Sequence, residues 1–135
     1  MSRLIRSFPA HPSRLSEIRT FVRKQSAQAG LSNDAADDLA LAVSEACANS
    51  IVHSGGATIT LDVRTDGERI EVEVRDEGVF RRRVPMPEVD GQGGHGIPLM
   101  MALMDEVVVH EGTEQDPGTL VRLVKYRQRR QRNFA

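Results

Sequence analysis

The stretch EACANSIVH, residues 45–53, places a glutamate and an asparagine, four residues apart, among small and apolar residues. It closes an apolar segment, 39–52, whose only polar residues are Ser44, Glu45, Asn49 and Ser50. A helix that is apolar nearly all round is normally buried. A buried carboxylate is costly unless it is paired, neutralised or holding a cation. Glu45 therefore predicts a partner supplied elsewhere in the chain or by a ligand.

Length and composition indicate one small globular domain. The chain has 135 residues, 39% hydrophobic and 27% charged, with a net charge of −1. We expect a single domain over 1–135 with its core at about 10–125 and a basic tail at 126–135. The balanced charge favours neither nucleic acid nor a membrane surface as direct partner. The single Cys47 excludes an internal disulfide framework and is expected to be an inert core thiol.

The amino-terminal residues and the hydropathy predict a cytoplasmic protein. MSRLIRSF lacks the apolar region of a signal peptide. No run approaches the roughly 18 apolar residues of a membrane span. We therefore expect no membrane partner.

Periodicity and turn residues predict the order of elements. Helical spacing, with Gly30 as a stop signal, predicts two consecutive helices. Alternation in 57–65 and 69–76 predicts a hairpin through Asp66-Gly67, with one buried face. The remaining predicted elements are a strand at 4–8, a loop at 77–96, a helix at 97–105, and strands at 106–110 and 119–126. The pattern predicts an α/β two-layer sandwich, a mixed β-sheet with helices on one face.

Glu45 and Asn49 are four residues apart and therefore share one side of their helix. With Asp38, Ala42 and His53 they form a stripe that points away from the core line of that helix. One interpretation is a solvated stripe. The other is a cation site, because an amide carbonyl and a nearby carboxylate supply the oxygen ligands that hard cations require.

Two further segments carry candidate binding residues. In RDEGVF, 75–80, Asp76 ends a strand, and Gly78 lets backbone approach a flat ligand closely. The plainer interpretation of this segment is a strand-terminating turn. Gly118-Thr119, which starts the last strand, by itself indicates only a turn.

The segment GQGGHGIP, 91–98, is the strongest local signal. A glycine-rich loop that runs into a helix amino terminus is suited to phosphate, and Pro98 fits the first helical turn. The segment spells a dinucleotide-binding fingerprint but lacks the preceding strand, and no Walker A lysine follows. A flexible glycine loop without a ligand is the alternative. The four His and one Cys lack zinc-ligand spacing.

Taken in order, these segments resemble the N, G1, G2 and G3 boxes of the GHKL ATPase superfamily. The closer likeness is to the anti-sigma factor serine-protein kinases of the RsbW and SpoIIAB type. LAVSEACANSIVH resembles the N box, DEG the G1 box, GGHGIPLM the G2 box and GTLV the G3 box. The resemblance spans about residues 10–125 and implies the GHKL (Bergerat) ATP-binding fold.

The resemblance also implies roles for individual residues. Asn49 would coordinate the Mg²⁺ that bridges the phosphates of ATP, and Glu45 would be the catalytic base. Asp76 would accept from the adenine amino group, helped through water by Thr119. The glycines of the boxes, Gly78, Gly94 and Gly96, with His95 between the last two, would approach the base or wrap the phosphates. The G1 box departs from the usual form, because its second glycine is missing, and the RRR run at 81–83 is unusual.

The implied function is an ATP-dependent serine/threonine protein kinase and anti-sigma factor. It would phosphorylate a STAS-class anti-anti-sigma protein, sequester a sigma factor and form a homodimer. A non-catalytic ATP-binding module that switches partners is the main alternative. A detached histidine-kinase catalytic domain would need a phosphoacceptor helix from another chain, and a chaperone or topoisomerase would need domains that 135 residues cannot hold.

Overall fold

Five strands and three α-helices make up the described part of the chain. The structure, a computed structural model, describes residues 2–53, 57–77, 96–115 and 118–127. In chain order the elements are β1 (Ser2–Pro9), a 3-10 turn (Pro12–Arg14), α1 (Leu15–Gln28), α2 (Asn33–His53), β2 (Thr58–Thr65), β3 (Arg69–Asp76), α3 (Gly96–Leu103), β4 (Glu106–His110) and β5 (Thr119–Tyr126). The order agrees with the predicted one, and the predicted loop at 77–96 lies almost wholly outside the described residues.

The junction between α1 and α2 is fixed by local chemistry. Gly30 adopts a φ of +87°, a left-handed conformation that glycine tolerates best. This conformation lets the N–H groups of Gly30 and Leu31 donate to the carbonyls of Ala27 and Ser26, at 3.1 and 3.0 Å. Ser32 then caps α2, because its hydroxyl accepts from the N–H of Ala35 at 3.2 Å. The predicted stop signal at Gly30 is therefore the observed one.

The sheet has the order β1-β2-β3-β5-β4, and all four neighbouring pairs are antiparallel. The prediction of a mixed sheet is therefore wrong for the described strands. Two successive helices return the chain to the end of the sheet that it left, so Pro9 lies opposite Thr58 and β2 runs against β1. The single helix α3 does connect two strands of the same direction, β3 and β4, but β5 lies between them.

One face of the sheet is buried beneath the helices, as predicted. The inward residues of the hairpin are all buried: Ile59, Leu61, Val63, Ile70, Val72 and Val74. They form one core with Leu39, Val43 and Cys47 of α2 and Met100 of α3. Helix α2 packs against α1 on one side and α3 on the other, so it is the central helix of the layer.

The other face of the sheet carries a charged network. Asp62 on β2 is 1% exposed and accepts two hydrogen bonds from Arg3, at 3.1 and 2.9 Å, and one from Arg64 at 3.2 Å. Glu73, also buried, accepts from Arg75. The hydrogen bonds and positive charge of Arg3, with the charge of Arg64, hold the pKa of Asp62 below its usual value against the opposing effect of burial.

Candidate functional site

Asp76 lies at the end of β3, on the face of the sheet that the helices cover. Its side chain is buried, and it accepts a hydrogen bond from the hydroxyl of Ser50 on α2. Across the sheet, its register partners are Ile59 on β2 and Thr119 on β5. Two residues that are 43 positions apart in sequence, Asp76 and Thr119, are therefore brought side by side because β5 inserts next to β3.

Thr119 is held in place by a hydrogen bond from the segment that connects β4 and β5. Its Oγ1 accepts from the N–H of Gly112 at 3.1 Å, which leaves the Thr119 hydroxyl hydrogen free to point elsewhere. Gly118, with a φ of +117°, turns the chain into β5. A Cβ on Gly112 would lie 2.6 Å from the backbone nitrogen of Gly118, so only glycine fits there.

Above Asp76 and Thr119 opens a pocket that encloses about 470 Å³, part of it open to solvent. Its lining residues come from α2, α3, three strands and the connection after β4: Ala46, Asn49, Ser50, Val74, Asp76, Met100, Val109, Glu111, Thr119 and Val121. Apolar side chains supply the walls, and a buried carboxylate lies among a few polar groups. Such a pocket suits a flat, largely apolar ring that carries a hydrogen-bond donor, such as adenine with its amino group.

Asn49 joins this pocket from α2, and Glu45 lies one turn earlier on the same helix. Both side chains are half-buried. Their stripe faces α3: Ala42 is fully buried, and Lys125 lies 3.6 Å from Asp38 while donating to the carbonyl of Leu103 at the end of α3. The stripe is therefore partly packed and partly open to solvent, and the choice between a solvated stripe and a cation site stays a prediction. The side chain of His53, at the end of the stripe, lies outside the described residues.

The glycine-rich candidates are only partly covered by the structure. Gly96 is the first residue of α3, and Pro98 lies in its first turn, as the sequence predicted. Gly78, Gly94 and His95, with the RRR run at 81–83, lie outside the described residues. Their predicted roles stay predictions.

Cys47 is a core residue, as predicted. It is fully buried on α2, and burial raises its pKa to about 12, with a smaller contribution from the negative charge of Asp76. A thiol with so high a pKa is almost entirely protonated at neutral pH and is a poor nucleophile.

Neither a protein-only metal centre nor a membrane-spanning helix is found in the described parts of the chain. No three His, Cys, Asp or Glu side chains there lie close enough together to hold a metal ion. None of the described helices is both long and apolar enough to cross a membrane. Mg²⁺ in nucleotide sites is commonly held by one or two protein oxygens together with phosphate oxygens and water, and the amide oxygen of Asn49 fits that pattern.

Two contributors to the site escaped the sequence analysis, namely Ser50 and Gly112. Ser50 follows Asn49 directly and lies on the buried side of an apolar helix, where an unexplained hydroxyl signals a hydrogen-bond partner. Gly112 carried no signal, because its requirement comes from the close approach of Gly118, six residues later.

Sequence comparison defines the class of protein. Residues 8–125 match the family of histidine kinase-like ATPase domains. A solved histidine kinase domain, of a blue-light activated kinase from Erythrobacter litoralis, superimposes with a TM-score of 0.56 and 20% identity, covering 89% of this chain and 62% of that one. This chain therefore has the ATPase fold shared by histidine kinases and their relatives.

Within that class, the sequence resembles one family of protein kinases. The serine-protein kinase RsbW of Bacillus subtilis is 35% identical, covering 87% of this chain and 81% of that protein. RsbW of Listeria innocua is 31% identical over 87% of this chain and 83% of its own length. The chain belongs to the RsbW family of serine-protein kinases. A solved Mycobacterium tuberculosis structure of RsbU and RsbW domains has the same fold, with a TM-score of 0.73 and 19% identity, and this chain spans about a third of its length.

Proposed function

We propose that this protein is an ATP-dependent serine/threonine protein kinase that also acts as an anti-sigma factor in the cytoplasm. It phosphorylates a STAS-class anti-anti-sigma protein, sequesters a sigma factor and works as a homodimer. Membership of the RsbW family places the chain in an enzyme class of serine-protein kinases. The observation that carries the proposal is one pocket that contains Asp76, Thr119 and Asn49, with Glu45 one helical turn from its edge.

ATP enters this pocket with its adenine against the sheet. Asp76 accepts from the adenine amino group, and Ser50 keeps that carboxylate in place through its hydrogen bond. Thr119 assists through a water molecule, and Gly78 lets the base lie close to the backbone. The phosphates then extend past Asn49 towards Gly96 at the start of α3, and Gly94 and His95 are the further candidates for binding them.

Phosphoryl transfer needs positioning and charge stabilisation more than covalent chemistry by the protein. Mg²⁺, held by the Asn49 amide oxygen, neutralises phosphate charge when it is bound. Glu45 accepts the proton of the acceptor hydroxyl as its oxygen forms a bond to the γ-phosphorus. The bond from that phosphorus to the bridging oxygen breaks, and its electron pair leaves with ADP.

The decisive experiment combines labelled ATP, the wild-type protein and a purified STAS-domain protein from the same organism, with Glu45→Gln as the variant. The wild type should label the STAS protein. Glu45→Gln keeps the shape but removes the base, so transfer should be at least about 100-fold slower. ATP affinity should stay within about twofold, and stability should be equal or higher because a half-buried charge is removed.

Glu68→Gln is the matched control, because Glu68 is exposed at the end of the β2–β3 hairpin farthest from Asp76. It should transfer phosphate at the wild-type rate. If Glu45→Gln transferred phosphate at the wild-type rate, Glu45 would not be the catalytic base. A wild type that exchanges partners with nucleotide but never transfers phosphate would establish the non-catalytic switch instead.

A further inference from the structure

The solvent-facing side of α2 carries an apolar stripe beside Glu45. Leu41 is 41% exposed and Val52 is 72% exposed. Ala48, between them, is half-buried. At 3.6 residues per turn these three residues fall within about 40° of one another around the helix. Large apolar side chains left in water on an otherwise packed helix are typical of a contact surface.

Glu45 lies on the margin between this stripe and the nucleotide pocket. Around the helix it is about 40° from the centre of the stripe, and Asn49 is about 40° further on. Asn49 lines the pocket, whereas Leu41 and Val52 lie away from it. The two neighbours of Glu45 around α2 are therefore a nucleotide site on one side and exposed apolar surface on the other.

We infer that this stripe of Leu41, Ala48 and Val52 is the docking surface for the acceptor protein. The inference rests on the proposed kinase function. A hydroxyl that gives its proton to Glu45 cannot approach from the side of Asn49, which the nucleotide occupies. It has to approach across the stripe, and a folded protein that carries it covers Leu41, one turn before Glu45, and Val52, two turns after it.

The charges near the stripe define the partner's chemistry. The amino-terminal end of the same helix face carries Asp34 and Asp37, and Asp37 pairs with Arg23 at 3.0 Å. The stripe is therefore apolar in its middle and acidic at one end. A complementary acceptor presents an apolar patch next to its phosphorylated residue, with basic residues at the edge that meets Asp34.

Leu41→Lys and Val52→Lys test the inference. Both side chains point into solvent and lysine is a good helix former, so the fold should be kept. The KM for the STAS-domain acceptor should rise about tenfold or more in each variant. The kcat at saturating acceptor and the affinity for ATP should stay within about twofold. Calorimetric binding of the acceptor, with a non-hydrolysable ATP analogue, should weaken in parallel.

Ile5→Lys is the matched control, because Ile5 is 53% exposed on β1, on the face of the sheet opposite the helices. It should leave acceptor binding unchanged. Unchanged acceptor binding and KM in both α2 variants, or an equal loss in Ile5→Lys, would overturn the inference. The inference would also be overturned if Leu41→Lys and Val52→Lys lost binding of the sigma factor but kept binding of the acceptor. If the wild type binds acceptor through the stripe but transfers no phosphate, the docking surface stands and the kinase proposal fails.

Discussion

Asp76 is the residue proposed to recognise the adenine of the nucleotide. A buried carboxylate normally needs several hydrogen bonds, and one of those of Asp76 comes from Ser50, on the helix that also carries Asn49 and Glu45. The proposed adenine acceptor and the proposed metal ligand are thereby linked through a single helix. A shift of α2 would move both.

Asp76→Asn should weaken ATP binding about 10- to 100-fold while the fold is retained. The substitution keeps the size of the side chain, but it removes the charge that accepts from the adenine amino group and places an amide hydrogen towards that donor. Calorimetry measures the affinity, and circular dichroism checks the fold. Asp66→Asn makes the same change in the turn at the far end of the hairpin and should leave ATP affinity unaltered. If a folded Asp76→Asn protein bound ATP with wild-type affinity, Asp76 would not be the acceptor for the adenine amino group.

Asn49→Ala should weaken nucleotide binding much more in the presence of magnesium than in EDTA. The amide oxygen is the proposed protein ligand of the metal, and its loss matters only when the metal is bound. Titrating ATP under both conditions gives two ratios of mutant to wild-type affinity. Equal ratios would make Asn49 a structural residue of the pocket wall.

At the scale of secondary structure, the connection between β4 and β5 determines the position of Thr119. Gly112 contacts the backbone of Gly118 and donates to the Thr119 hydroxyl. This short segment therefore helps to shape the proposed adenine site through the backbone of Gly112 and the hydroxyl of Thr119.

Gly112→Ala should destabilise the protein by about 1–3 kcal/mol, because the new Cβ collides with backbone that has to shift. The shift also moves Thr119, so ATP affinity should fall. The matched control is Gly67→Ala, where a Cβ meets no atom within 4 Å. Urea unfolding and ATP titration of both variants check the prediction. Equal behaviour of the two would show that the Gly112 contact relaxes without consequence.

The elements themselves could be predicted because their signals are local. Gly30 and Ser32 mark the junction of α1 and α2, and alternation marks the two strands of the β2–β3 hairpin. The strand directions could not be read in this way. The position of β5 between β3 and β4 depends on long-range pairing, and the prediction of a mixed sheet failed for that reason.

The candidate site was predictable in its residues but not in its assembly. Asp76, Thr119 and Asn49 could each be named from a motif, and the structure brings all three to one pocket. Their contacts required the register of the sheet. Ser50 and Gly112 act through such contacts, and therefore no pattern in the sequence singled them out.

At the scale of the whole molecule, the two faces of the sheet have different chemistry. The helix-covered face is apolar except near the nucleotide pocket. The opposite face places Asp62 and Glu73 among the guanidinium groups of Arg3, Arg64 and Arg75. This network makes the stability of the protein sensitive to acid.

Stability should fall as the pH drops below the usual Asp pKa of 3.8, and Asp62→Asn should reduce that fall. Hydrogen bonds from Arg3 lower the pKa of Asp62 in the folded protein, so its ionised form stabilises the fold. That stabilisation is complete above the pKa in the unfolded chain and is lost as the pH falls through the lower folded pKa. Asp66, whose pKa is lowered by the N–H groups of Glu68 and Arg69, contributes in the same direction and remains in the variant.

At pH 7 the variant should be less stable by about 1–2 kcal/mol, because buried hydrogen bonds to a charge are lost. Urea unfolding between pH 7 and pH 2 measures both effects. Asp37→Asn is the control, since its ion pair with Arg23 is exposed and contributes little. If the free energy of unfolding falls as steeply at acid pH in Asp62→Asn as in the wild type, Asp62 is not the source of the acid sensitivity.

The pairing of β1 with β2 has a kinetic consequence. Ser2 and Thr65 are 63 positions apart, and the whole α1–α2 hairpin lies between the two strands. Bringing such distant segments together costs more loop-closure entropy than forming the β2–β3 hairpin or the helix pair, whose partners are closer in sequence. We therefore expect the first strand of the chain to join the sheet after the β2–β3 hairpin and the helix pair have formed. Substitutions along β1 should accelerate unfolding while leaving the folding rate nearly unchanged.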